Sequence, residues 1–186
     1  MKPIILASQS PRRKQLLESA EIEFTVEVSG VTEHYDASAS PEEIAAYLAK
    51  VKARAVAETK GKDFIIISAD TVVTLDNTIY NKPNDFAEAV KMLQALSGRT
   101  HKVITGVCII SDNKEIVFTE TTEVSFYQLA TAQIEHYINK YKPFDKAGSY
   151  AIQEWIGLIG IKEIVGDYYN VMGLPVAKLL LELKKL

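Results

Sequence analysis

"PIILASQSPRR", Pro3 to Arg13, decides the fold, because it places a buried strand and the start of a helix on either side of one short turn. Residues 3–7 form a continuous apolar run with two isoleucines, a pattern typical of a strand inside a sheet. Ser10 and Pro11 then have the residue types of a helix N-cap and a first helical position. A strand followed directly by a helix is the first unit of an α/β alternation.

Strand and helix patterns continue to alternate along the chain. A capping box with proline, Ser40–Glu43, opens a second helix, and Phe64–Ile67 is a buried strand by its composition. Two long strand patterns, residues 100–110 and 115–126, are joined by a hairpin connection at residues 111–114. Further helix patterns occupy residues 85–96, 131–140 and 175–186. Because a hairpin within a β/α alternation makes a sheet partly antiparallel, we predict a mixed sheet with helices on both faces.

The composition is that of an ordinary globular protein. Of 186 residues, 47% are hydrophobic and 24% charged, and no stretch has the length and hydrophobicity of a membrane span. The net charge of −3 argues against bulk nucleic-acid binding, which needs a basic surface. The single cysteine, Cys108, excludes an internal disulfide. We therefore predict one domain over residues 1–186 in a cytoplasmic protein, with no nucleic-acid or membrane partner.

Arg12 and Arg13 occupy an unusual place, the first turn of the first helix. The helix macrodipole disfavours cations there, so the pair fits better if an anion occupies the free N–H groups of residues 8–12. The alternative is two solvated arginines on an exposed helix face.

Two acidic residues are candidate ligands. Asp70 follows the most apolar strand pattern and is expected at or near its carboxyl end, where α/β sheets place their ligands. Apolar residues on both sides of it favour a metal ligand or general base over a turn residue that bonds its own backbone. Glu33, in the polar loop of residues 30–40, is a second candidate ligand, or else a surface glutamate.

Two lysines extend this set. Lys52 lies at the edge of an apolar stripe, one helical turn after Leu48, where it either binds a ligand or extends its stem along the apolar surface. Lys82 follows a short strand pattern, and Pro83 fixes the chain just beyond it. Since magnesium bridges phosphate oxygens through one or two carboxylates, these lysines, the arginines and the acids are compatible with one site for a polyphosphate and a divalent cation.

Six blocks of this sequence, in order and at matching spacing, resemble the Maf family. They are Leu6–Arg13, Leu48–Ala53, Ala69–Val72, Lys82–Pro83, Leu96–Gly106 and Asp145–Gln153. The last block, together with Gly166–Pro175, is similar to the branch of the family that hydrolyses dTTP and UTP. The resemblance extends from about Ile4 to Leu179, and each block alone would be a weak signal.

The resemblance implies a fold and a reaction. The implied fold is α/β and related to the Ham1 type, with a twisted mixed sheet, flanking helices and two lobes around a deep cleft. The implied reaction cleaves a nucleoside triphosphate to the monophosphate and pyrophosphate with a divalent cation, Mg or Mn. A homodimer is also implied.

The resemblance also assigns roles to individual residues. Asp70 matches the proton acceptor, and Glu33 matches its acidic partner near the metal. Positions tied to substrate choice are matched by Arg12, Thr71 and Gln153. Phosphate-side contacts are matched by Ser8, Arg13, Lys52 and Lys82.

Two positions depart from the family pattern. Glu154 stands where a small residue usually follows the glutamine, so it is expected to narrow or recharge the base pocket. Asn81 stands where glycine is common before Lys-Pro, which is compatible with a left-handed backbone conformation at this residue.

The leading hypothesis is an enzyme that hydrolyses unwanted pyrimidine triphosphates. The main alternative is a non-enzymatic, nucleotide-responsive protein in septum formation or cell-division control, a process with which the family is associated. A single-strand nucleic-acid binder would need an aromatic and basic platform, and the net charge has the wrong sign for it.

Overall fold

The computed structural model describes residues 2–112 and 114–186, in which strands and helices alternate. The strands are β1 (Ile4–Leu6), β2 (Phe24–Val26), β3 (Ile65–Leu75), β4 (Thr78–Tyr80), β5 (Thr100–Ser111), β6 (Lys114–Phe126) and β7 (Ile161–Val165). The α-helices are α1 (Pro11–Ser19), α2 (Pro41–Lys60), α3 (Phe86–Leu96), α4 (Thr131–Tyr141), α5 (Trp155–Gly160), α6 (Tyr168–Met172) and α7 (Val176–Leu183). Two 3₁₀ turns, Pro143–Asp145 and Ala147–Ser149, follow α4.

The strands form one mixed sheet, which confirms the predicted α/β class. Its order is β2-β1-β3-β5-β6-β7, and β4 pairs with β3. β1 is parallel to both β2 and β3, with Ile4 opposite Ile65 and Leu6 opposite Ile67. β4 is antiparallel to β3, and β7 is antiparallel to β6. The predicted connection between β5 and β6 includes Asn113, which lies outside the described residues.

The chain divides into two compact units. The first comprises the chain up to Thr71, Thr105–Glu120 and Gly173–Leu186. The second comprises Val72–Ile104 and Thr121–Met172. Within residues 2–112 and 114–186, no helix has the length and apolar character needed to cross a membrane.

The core of the first unit is built from large strand residues and small helix residues. Ile5 and Ile66 of the sheet pack in one cluster with Ala49 and Ala53 of α2 and with Cys108 of β5. Burial raises the pKa of the Cys108 thiol to about 12, because the thiolate would be desolvated.

Close approach of α2 to β5 explains the glycine in β5. A Cβ added to Gly106 would lie 2.3 Å from the backbone carbonyl oxygen of Ala45. No side chain fits this distance, so the packing of helix on strand requires glycine here.

Helix α2 begins as predicted. Ser40 accepts the Glu43 N–H while the Glu43 side chain accepts the Ser40 N–H, which completes the capping box. The spacing of Ile44, Leu48, Val51 and Ala55 predicts one buried face for α2. Val51 and Ala55 are only partly buried, whereas Ala53 and Val56 are buried. Ala49, Ala53 and Val56 of this face pack in the buried cluster with the sheet.

Three other expectations are corrected. β3 is eleven residues long, so Asp70 lies within the strand rather than at its end, because the apolar residues after it continue the strand into its pairing with β4. Asn81 is absent from the left-handed residues of the described chain, which include Asp76 and Asn77 in the turn before β4. The sequence pattern predicts Phe86 on one apolar face with Ala89, Val90 and Leu93, but Phe86 is 39% exposed, since it is the first residue of α3.

The second unit contains a buried ring cluster. The imidazole of His101 stacks on Phe126 with ring centroids 5.6 Å apart and meets Tyr150 edge-on. Its Nε2 is 2.7 Å from the Tyr150 hydroxyl, and desolvation lowers the pKa of His101 to about 4. His101 is therefore neutral at physiological pH.

This burial predicts a loss of stability in mild acid. Between the ordinary histidine pKa of 6.5 and the folded-state pKa of about 4, the unfolded chain binds a proton that the folded chain does not. The free energy of unfolding should therefore fall as pH falls through this window, by about 3 kcal/mol from His101 alone. The measurement is denaturant unfolding of the wild type and of His101→Gln at several pH values from 7 to 4.5. The free energy of unfolding should change less with pH in the variant than in the wild type.

An NMR titration of the His101 ring provides an independent measurement. Its Cε1–H signal should not titrate above pH 5, because desolvation lowers the pKa of this imidazole to about 4. A normal titration of His101, or equal pH slopes for the two proteins, would contradict the prediction.

Candidate active site

The start of α1 has the predicted cap. The Ser10 hydroxyl accepts the backbone N–H of Arg13, and Pro11 occupies the first helical turn. The Ser8 hydroxyl accepts the Ser10 N–H at 3.2 Å, so both serines fix the chain as it enters the helix. Arg12 is half-buried in the first turn of α1.

Arg13 is buried, and its guanidinium bonds three separate parts of the first unit. Its Nε donates to the Gly173 carbonyl oxygen at 2.7 Å. Nη1 donates to the Ser8 hydroxyl at 3.2 Å and Nη2 to the Thr71 hydroxyl at 3.0 Å. The Thr71 hydroxyl is in turn 2.9 Å from that of Thr105. Arg13 therefore links the start of α1, strand β3 and the segment before α7, and its contact with phosphate stays a prediction.

Opposing effects act on the pKa of Arg13. Burial lowers its pKa through desolvation, the charge of Asp70 raises that pKa, and the neighbouring Arg12 lowers it. A guanidinium stays protonated in proteins, so a positive charge is held close to the Asp70 carboxylate.

Asp70, Glu33 and Lys52 form the second part of the site. Lys52 extends from α2, and its Nζ is 2.6 Å from Asp70 Oδ1 and 2.7 Å from Glu33 Oε1. The side chains of Lys52 and Asp70 are each 13% exposed, whereas that of Glu33 is 48% exposed. Two carboxylates thus converge on one cationic atom, a contact that the edge position of Lys52 on its helix permits.

The carboxylates of Asp70 and Glu33 supply only some of the oxygen ligands that a magnesium ion needs. Among residues 2–112 and 114–186, no group of three or more His, Cys, Asp or Glu side chains is placed to hold a metal ion. Mg²⁺ needs only one or two carboxylates when substrate phosphates supply the other oxygens. Asp70 and Glu33, which already face one positive charge, therefore fit a cation that arrives with a phosphate ligand.

The other two predicted site residues, Lys82 and Gln153, belong to the second unit. Lys82 is exposed and precedes the buried Pro83. The Asn81 carbonyl accepts the Gly148 N–H at 3.3 Å, which attaches the segment before Lys82 to the second 3₁₀ turn. Gln153 is exposed in the segment that precedes α5.

Glu154, which departs from the family pattern, has partners of its own. One carboxylate oxygen accepts the hydroxyl hydrogen of Tyr137, and the other is 3.6 Å from Lys146 Nζ. Its charge is thus compensated within the second unit.

Sequence reasoning missed four residues of these networks. Thr105 lies in a block that matched the Maf pattern, but nothing in its spacing indicated a contact with Thr71. Gly173 contributes a backbone carbonyl, which no side-chain pattern can reveal. Tyr137 lies in an ordinary helix pattern and Lys146 in the matched block Asp145–Gln153, but their contacts with Glu154 depend on the tertiary fold.

Known proteins similar to this chain include a solved structure and relatives that align along nearly all of it. Among solved structures, the Staphylococcus aureus Ham1 protein aligns with 18% identity and a TM-score of 0.46, over 67% of this chain and 72% of that chain. The dTTP/UTP pyrophosphatase of Cytophaga hutchinsonii is 52% identical over 183 residues, which cover 98% of this chain and 84% of that protein. The proteins of the same name from Phocaeicola vulgatus and Bacillus cytotoxicus are 50% and 52% identical, covering 98% and 100% of this chain and 95% and 96% of theirs.

A family model described as Maf-like protein matches residues 3–186. Since this match covers almost the whole chain, and relatives of similar length share about half of its residues, the chain belongs to the Maf family.

Proposed function

We propose that this chain is a nucleoside triphosphate pyrophosphatase that hydrolyses dTTP and UTP to the monophosphate and pyrophosphate. The observation that carries the proposal is the convergence of Asp70 and Glu33 on Lys52 Nζ, with the buried Arg13 charge nearby. The names of relatives with about 50% identity over nearly the full chain support the same reaction.

Asp70 is the proposed general base. Its carboxylate lies beside two positive groups, since Lys52 Nζ is 2.6 Å from Asp70 Oδ1 and the charge of Asp70 acts on buried Arg13. In the proposed reaction Asp70 takes a proton from the water that attacks the α-phosphorus, and pyrophosphate leaves. A divalent cation, Mg or Mn, held by Asp70 and Glu33 with substrate oxygens, would supply charge neutralisation on the triphosphate.

Lys52 has two proposed tasks. With no nucleotide present it neutralises both carboxylates, which lowers the cost of keeping two like charges close together. With nucleotide bound, its ammonium is a donor for phosphate oxygens, together with Arg12, Ser8 and Lys82. The assignment of Lys82 comes from the resemblance alone.

Gln153 is the proposed reader of the base, with Thr71 and Arg12 as further determinants of substrate choice. Its amide offers a donor and an acceptor in one plane, which suits the edge of uracil or thymine, where a carbonyl lies beside an N–H. Cytosine presents a different pattern, so it would leave a polar group unpaired.

We also propose a cytoplasmic location, one functional domain over residues 1–186, a homodimer, and no nucleic-acid or membrane partner. The family match over residues 3–186 supports a single domain. The homodimer is supported by the resemblance alone.

The substrate prediction is a preference for dTTP and UTP over CTP, with cleavage between the α- and β-phosphates. A site that hydrogen-bonds the uracil edge can discriminate by up to about 10⁴ in kcat/KM. The measurement is kcat/KM for dTTP, UTP, CTP, GTP and 7-methyl-GTP with Mg²⁺ or Mn²⁺, with pyrophosphate and orthophosphate quantified separately. Preference for 7-methyl-GTP, or release of orthophosphate, would contradict it, and binding without turnover would favour the non-enzymatic alternative.

Asp70→Asn should abolish most activity and preserve the fold. Loss of a positioned base lowers turnover by roughly 10²–10⁴. The amide still accepts a hydrogen bond from Lys52, so the circular dichroism spectrum and the melting temperature should change little. Asp63→Asn, which alters an exposed aspartate of the same unit, is the matched control. More than half of wild-type turnover in Asp70→Asn would exclude Asp70 as the base.

Arg12→Ala and Lys82→Ala should each weaken transition-state binding. Removing one preorganised positive donor costs about 2–4 kcal/mol, measured as the loss of kcat/KM for UTP. Lys14→Ala and Lys91→Ala remove exposed lysines from α1 and α3 and should have wild-type kinetics. Wild-type efficiency of both Arg12→Ala and Lys82→Ala with every nucleotide would place the phosphate contacts elsewhere.

A further inference from the structure

The segment that carries Gln153 is attached to a buried tyrosine on both sides of the glutamine. Tyr137 of α4 is fully buried. Its hydroxyl accepts the Ala151 N–H at 3.1 Å and donates to a carboxylate oxygen of Glu154. One phenol oxygen therefore hydrogen-bonds both Ala151, two residues before Gln153, and Glu154, one residue after it.

Tyr137 keeps both of these bonds over a wide pH range. Burial raises the pKa of its hydroxyl, and the hydrogen bond to Glu154 raises that pKa further. The phenol is thus a permanent donor toward Glu154, and its lone pairs are available to the Ala151 N–H.

Glu154 connects this tyrosine to a second anchor. Its other carboxylate oxygen faces Lys146 Nζ at 3.6 Å, and that ammonium also donates to Asp145 at 2.7 Å. The Lys146 side chain is only 9% exposed, so the pair is shielded from solvent on the lysine side. The carboxylate therefore joins α4 to the 3₁₀ turns.

The backbone after Gln153 is fixed as well. The Glu154 carbonyl accepts the N–H groups of Gly157 at 2.9 Å and Leu158 at 3.3 Å, which starts α5. A Cβ on Gly157 would lie 1.8 Å from the Ile152 carbonyl oxygen, so the segment packs directly on this helix. Residues 151–154 are thus held by α4 and α5 while the Gln153 side chain stays exposed.

We propose that Tyr137 and Glu154 are positioning residues that fix the backbone on both sides of Gln153 and so place its side chain where the amide distinguishes uracil and thymine from cytosine. This inference rests on the proposed function, in which Gln153 reads the base. An amide discriminates between bases only if its donor and acceptor atoms meet the base edge at fixed positions, which requires a fixed backbone beneath the side chain. In this role Glu154 contributes to discrimination between bases, at a position where the family usually has a small residue.

The test compares kcat and KM for UTP and CTP across four variants: Tyr137→Phe, Glu154→Ala, their combination, and Glu154→Gln. Tyr137→Phe and Glu154→Ala should each lower the UTP-to-CTP ratio of kcat/KM by about tenfold, and kcat for UTP should stay within about threefold. The combined variant should lose less than the product of the two single losses, because both changes remove the Tyr137–Glu154 contact that they share. Glu154→Gln should keep the ratio within about threefold, since the amide oxygen still accepts from Tyr137.

Two matched controls isolate the contact. Tyr141→Phe removes a hydroxyl from the neighbouring tyrosine of α4, whose ring stacks on Tyr137. Glu135→Ala removes an exposed carboxylate from the same helix. Both should keep the wild-type ratio. An unchanged ratio in folded Tyr137→Phe and Glu154→Ala would overturn the proposal, as would equal loss in the controls.

Amide hydrogen exchange separates this proposal from the proposed function. The Ala151 amide should exchange about tenfold faster in Glu154→Ala than in the wild type, because the segment opens more often. If the wild type hydrolyses no pyrimidine triphosphate, the proposed function fails, and the exchange result alone decides whether the pair fixes the segment. Unchanged exchange would overturn the positioning role, including in the case where Tyr137→Phe does not fold.

Discussion

A buried guanidinium is the constraint on which the first unit depends. Taking a positive charge out of water is costly unless hydrogen-bond acceptors surround it, and Arg13 finds them in Ser8, Thr71 and Gly173. These acceptors lie far apart in the chain, so the bonds form only when α1, β3 and the segment before α7 are all in place. Because Thr71 is next to Asp70, the same interaction that stabilises the unit also fixes the proposed base.

In the second unit, buried groups that are neutral or charge-compensated likewise connect secondary-structure elements. A tyrosine hydroxyl and a compensated carboxylate fix the segment around Gln153, and a neutral imidazole packs among aromatic rings. In both units a buried polar group connects elements and holds a residue of the proposed site. The proposed catalytic and recognition groups are thus supported by side chains that need no contact with the nucleotide themselves.

The features that the sequence predicted well depend on local signals. The cap of α1, the capping box of α2 and the isoleucine strand each require only a few neighbouring residues, and all are present. The partners of Arg13 and Tyr137 could not be predicted, because each contact joins residues distant in the chain or uses a backbone atom. Asp70 was placed too near a strand end because β3 remains apolar and paired after its polar interruption. The glycine-rich α5 and the polar β7 lack a clear helical or strand period, so neither was predicted.

The buried Cys108 has a practical consequence for spectroscopy. Its thiol is enclosed in the core with a pKa raised to about 12, so almost no thiolate is present to react with maleimide or iodoacetamide reagents at neutral pH. The natural chain is therefore already a suitable background for site-directed labelling. A single surface cysteine introduced in either unit would take a fluorophore or spin label selectively, without any prior removal of the native cysteine.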